Sequence, residues 1–87
     1  MKKTKTLPTA RETFGLNVRR VRRLKEISQE KLAFEAGMSQ TYLSQVEGGS
    51  RNISVDNMEA LANALEVALP KLLNPELLEL ENSKLKS

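Results

Sequence analysis

The chain has 87 residues, with 14 Lys and Arg against 11 Asp and Glu, a net charge of +3. It holds no cysteine and no histidine, which excludes a disulfide framework, thiolate or imidazole metal sites and the commonest general base. Its length suits one small domain, and its aromatics, Phe14, Phe34 and Tyr42, are too few for a platform that stacks single-stranded bases.

Residues 1–8 are polar, carry Lys2, Lys3 and Lys5, and end at Pro8; they read as a loose basic arm. No apolar signal segment follows, and no run approaches the roughly 18 apolar residues of a membrane span. The expectation is a cytoplasmic protein. Thr9 and Glu12 have capping-box spacing, which starts a first helix running to about Lys25. Phe14, Val18 and Val21 share one of its faces with the charged Arg22; Arg19, Arg20 and Arg23 fall elsewhere. A second helix follows Ser28 and ends at Gly37. A third follows Ser39 and ends near Glu47. Residues 48–52 form a loop. Ser54 caps a fourth helix, with Asp56 in its positive first turn and Met58, Leu61, Ala62, Leu65 and Val67 as its apolar positions. A short fifth helix carries Leu69, Leu72 and Leu73 and takes Pro70 in its first turn. Asn74-Pro75 is a further start signal, and residues 76–84 read as a last helix with Leu77, Leu78 and Leu80. Nothing signals a β-hairpin. The expected fold is all-α: a basic arm over 1–8, a compact five-helix domain over 9–74, and a partly helical extension over 75–87.

Residues 29–46 say the most about function. Leu32, Ala33 and Ala36 give the second helix a narrow apolar face; Leu43 and Val46 do the same for the third. Ala33 is small where two backbones must approach, and Gly37 tolerates positive φ at the corner between them. This is a helix-turn-helix arrangement, whose second helix enters the DNA major groove. Charge distribution agrees. Residues 1–51 hold eleven Lys and Arg against five Glu, whereas residues 52–87 hold three Lys against six Asp and Glu. The first part attracts a polyanion; the second faces something else.

Over about residues 13–74 the chain resembles the lambda-repressor-like (XRE/Cro) DNA-binding family. The resemblance rests on residues 18–22 (VRRVR), 28–33 (SQEKLA), 36–39 (AGMS), 42–47 (YLSQVE), 51–54 (RNIS) and 61–65 (LANAL) taken together. Two positions depart from the family pattern. Glu26 stands where a glycine often ends the first helix, and Ala68 where Ser or Thr usually caps the fifth. In size the chain is similar to small phage repressors and to the controller proteins of restriction–modification systems, which also tend to carry a Ser-Arg-Asn stretch such as residues 50–52.

The resemblance implies that Gln40, Thr41, Ser44 and Gln45 contact base edges. Amides donate and accept at once, which suits adenine N6 and N7. Gln29, in the first turn of the second helix, is implied to bind a phosphate, aided by free backbone N–H groups, and Asn52 is similarly placed. Arg51 reads either as a guanine contact or as a phosphate contact. Tyr42 either packs at the junction of the second and third helices or offers its hydroxyl to a phosphate. Arg22 and Glu47 are implied to form an internal ion pair. Phe14, Phe34, Met58, Leu61 and Leu65 are the core candidates. Leu69, Leu72, Leu73, Leu77, Leu78 and Leu80 exceed what so small a core can cover, so Leu69, Leu72, Leu73 and Leu77 read as a homodimer interface; the alternative is a tail folded back on its own core.

The leading expectation is a homodimeric transcriptional regulator, activator or repressor, that binds a short inverted repeat of double-stranded DNA, with RNA polymerase as a further partner. The alternative is an antitoxin or anti-repressor whose main partner is another protein. Scattered carboxylates, serines without a base and the lack of a Gly-rich phosphate loop argue against an enzyme. No cofactor, metal or membrane partner is expected.

Overall fold

A computed structural model describes residues 7–77. Five helices follow in chain order: α1 (Ala10–Leu24), α2 (Gln29–Ala36), α3 (Gln40–Glu47), α4 (Val55–Leu65) and α5 (Leu69–Leu72). There is no strand among the described residues, and no helix among them is long and apolar enough to cross a membrane. Most of the anticipated last helix lies outside the described residues, as do residues 1–6 of the basic arm.

Local chemistry sets the helix starts. Thr9 and Glu12 close a reciprocal capping box on α1. Ser28, Ser39 and Ser54 each accept from the backbone N–H three residues on, at 3.0, 3.0 and 3.1 Å. These bonds satisfy N–H groups that a helix cannot satisfy itself. Ala68, the departure from the family pattern, provides no side-chain cap for α5. Gly37 turns the chain from α2 to α3 at φ 75°. Glu26, the other departure, adopts φ 57° in the α1–α2 turn, a region that is costly for a residue with a Cβ.

The core gathers Phe14, Val18 and Val21 of α1, Leu32 and Ala33 of α2, Leu43 and Val46 of α3, and Leu61, Ala62 and Leu65 of α4. Gly15 lets α1 and α3 cross closely: a Cβ there would collide with the carbonyl of Val46. Gly15 is therefore a small residue required at a close approach, and Ala33 is buried in the core at 2% exposure.

Two sequence expectations need correction here. Phe34 is 83% exposed and is not a core residue. At 100° per residue it lies about 150° from the middle of the face formed by Leu32, Ala33 and Ala36, so helix phase overrides residue type. Leu72 and Leu77 are 0% and 8% exposed, inside this chain's own core, which fits the folded-back alternative rather than the interface reading for these two. The cause is a polar residue. Asn17, 2% exposed, lies at the i+3 position from Phe14 on the apolar face of α1. Its amide donates to the carbonyls of Leu72 and Asn74, both at 2.9 Å. These bonds bring the segment after α5 back over α1, and the two leucines close the core beneath it.

Candidate nucleic-acid interface

Seven of the eight residues of α3 divide between two environments, with Tyr42 half-buried between them. Leu43, Val46 and Glu47 are buried and seat the helix on α1 and α2. Gln40, Thr41, Ser44 and Gln45 are all exposed. These four line one open depression together with Gln29 at the start of α2. An α-helix with its side chains is about 10–12 Å across, close to the roughly 12 Å width of the B-DNA major groove. The exposed face thus presents amides and hydroxyls, each able to donate and accept, at the scale of base edges.

Beneath this face lies a charged network. Arg22 meets Glu47 in a two-pronged contact: Nε donates to Oε2 at 2.7 Å and Nη2 to Oε1 at 3.0 Å. Its Nη1 donates to the carbonyl of Ile27 at 3.0 Å, tying in the α1–α2 turn. The Glu47 side chain is 4% exposed and that of Arg22 11%. Two such charges are costly to desolvate, and the paired, hydrogen-bonded geometry is what makes their burial tolerable. Gln29 then donates from Nε2 to Glu47 Oε1 at 3.1 Å and accepts at Oε1 from Gln40 Nε2 at 3.3 Å.

Arg51 and Asn52 are exposed beyond α3. The Arg51 guanidinium lies 5.0 Å from the centroid of the Tyr42 ring, within cation–π range. Tyr42 is half-buried, and its hydroxyl accepts from Asn57 of α4 at 3.3 Å. Its polar tip therefore faces α4, an arrangement neither sequence alternative described. Of the four leucines read as an interface, Leu69 is half-buried and Leu73 is 38% exposed. Asn17 is the residue that the sequence reading passed over; a polar residue at a core position of α1 was the available signal, the same one that marked Arg22.

A family model for helix-turn-helix proteins, HTH_3, matches residues 18–72, which takes in α2 and α3 and the packing residues around them. This chain belongs to the helix-turn-helix family. The regulator is 48% identical over 62 residues to control protein C.BamHI of Bacillus amyloliquefaciens, covering 70% of this chain and 76% of that protein. It is 40% identical over 63 residues to control protein C.SmaI of Serratia marcescens, covering 72% and 75%. Among solved structures, the restriction-modification controller protein C.AhdI from Aeromonas hydrophila superposes with a TM-score of 0.69 at 40% identity, over 71% of this chain and 94% of that one. The helix-turn-helix regulator is thus a DNA-binding protein of transcription control, in keeping with the exposed face of α3.

Proposed function

We propose that this helix-turn-helix regulator binds a short inverted-repeat operator as a cytoplasmic homodimer and controls transcription there, as a controller protein of a restriction–modification system. The observation that carries the reading is the grouping of Gln40, Thr41, Ser44 and Gln45 on one open face with Gln29. In this reading the first four touch base edges, and Gln29, Arg51 and Asn52 contact the backbone. The N-terminal region of α2 supplies N–H groups suited to a phosphate. Similarity to the control proteins C.BamHI and C.SmaI supports the restriction–modification role. Repression follows where the operator overlaps a promoter; activation follows where the bound dimer contacts RNA polymerase.

Selection of binding sites from random duplexes tests this. The expected product is an inverted repeat with half-site centres about 10 base pairs apart, one helical turn. Recovery of a single asymmetric site, or of no consensus, would reject the homodimer reading. The exposed Leu73, next to the half-buried Leu69, is where the dimer contact is placed. Leu73→Glu should give a folded monomer by sedimentation equilibrium with weakened operator binding. A variant still dimeric at micromolar concentration moves the interface elsewhere.

A further inference from the structure

We infer that Glu47 is a positioning residue for base reading, acting through Gln29 to fix which end of the Gln40 amide meets DNA. The inference rests on the proposed role of Gln40 at a base edge. A carboxylate only accepts hydrogen bonds. Glu47 is clamped by Arg22 and is 6% exposed, so its acceptor cannot turn away. Gln29 must therefore point its NH2 group at Glu47, as the 3.1 Å contact shows. That leaves the Gln29 carbonyl facing outward, where it accepts from the NH2 group of Gln40 at 3.3 Å. Reversing either amide would set two acceptors against each other. The chain Glu47–Gln29–Gln40 thus has a single polarity, set by a buried charge and delivered to an exposed side chain.

The consequence is chemical selectivity. A solvent-exposed glutamine ordinarily samples many rotamers and both amide orientations. Here Gln40 loses that freedom before DNA arrives, which favours the base edge that fits the fixed orientation. With one N–H given to Gln29, Gln40 presents Oε1 to accept and its second N–H to donate, the pair that matches N6 and N7 of adenine in the major groove. Gln45 offers an internal control: its side chain makes no hydrogen bond among the described residues, while its backbone carbonyl accepts from Ser50.

Site selection with the full chain tests the relay, with base preference read position by position and folding checked by circular dichroism. Gln40→Ala should lower preference by about tenfold or more at one base pair, and the favoured pair there should be A·T. Gln29→Met and Glu47→Gln should each relax that same base pair several-fold. The base pair mapped by Gln45→Ala should keep its preference in both. If Glu47→Gln does not fold, Gln29→Met decides alone, because it leaves the Arg22–Glu47 pair in place. A folded Gln29→Met that keeps full preference at the Gln40 base pair overturns the relay while sparing the role of Gln40. Equal relaxation at every position also overturns it, since that marks a merely structural effect. A Gln40→Ala that changes no base pair removes the proposed base contact itself, and the relay with it. A favoured G·C pair at that position contradicts the assigned amide orientation.

Discussion

Asn17 and Glu47 are both polar, both buried, and both partners of elements distant in sequence, yet they serve opposite ends of the domain. Asn17 is neutral and reaches 55 and 57 residues ahead to two backbone carbonyls. Its bonds end there. Glu47 is charged and pairs with Arg22 across 25 residues, and its bonds continue to Gln29 and, through it, to Gln40 at the surface. A neutral amide suffices to hold a chain segment in place, because backbone carbonyls ask only for donors. A charged pair costs more to bury, but its carboxylate has acceptors for a second neighbour, so the direction it imposes on Gln29 is passed outward to Gln40. The difference teaches that burial alone does not say what a polar residue is for; the destination of its hydrogen bonds does.

The comparison breaks most visibly at Arg22. Arg22→Ala strands the buried Glu47 carboxylate and should destabilise the fold by about 3–5 kcal/mol, as measured by denaturant titration. A double-mutant cycle with Glu47→Ala should show strong coupling; absence of coupling would mean the two charges contribute separately. Asn17→Leu should cost about 1–3 kcal/mol, because it leaves two carbonyls without their donor. Unlike changes at the charged network, it should leave base preference intact while lowering hydrogen-exchange protection at Leu77. A shift in base preference on Asn17→Leu would erase the distinction between the two ends. The smallest effect is expected at Glu26, in the turn whose neighbouring carbonyl, that of Ile27, accepts from Arg22. Glu26→Gly relieves a positive φ but loosens the unfolded chain. A net gain of about 0.5 kcal/mol in denaturant titration is the expected balance; a loss would show that the Glu26 side chain contributes more than its backbone strain costs.

What was legible in the sequence was local. The caps at Thr9, Ser28, Ser39 and Ser54 act over three residues, so the helix starts can be read from neighbours alone. The helix-turn-helix was readable for the same reason, since its small residue and its corner glycine lie within a few positions of the helices they join. The exposed set on α3 followed from helical phase. Errors arose where phase was neglected or where partners are remote. Phe34 was ranked by its type, although its position on α2 turns it outward. Leu72 and Leu77 were counted as surplus because nothing near them in sequence shows that Asn17 will hold their segment over α1. Nothing in the neighbourhood of Gly15 marks its role, and only the crossing with α3 shows what would fill the space. The link from Glu47 to Gln40 needs three residues from two helices and was invisible until those helices were placed together.

The division of α3 into a seated face and an open face has a bearing on how such a regulator acquires new targets. The fold makes its demands of α3 through Leu43, Val46 and Glu47, together with the carbonyl that rests on Gly15. Thr41, Ser44 and Gln45 carry none of that burden, so substitutions there cost little stability, of the order of 0.5 kcal/mol or less. A drifting operator can therefore be followed by single changes, with no intermediate that fails to fold. Gln40 stands apart: because its amide is tied inward to Gln29, altering it also disturbs a neighbour. Among the exposed positions of α3, it is the one where a change of target carries a structural consequence, and so the slowest to be rewritten.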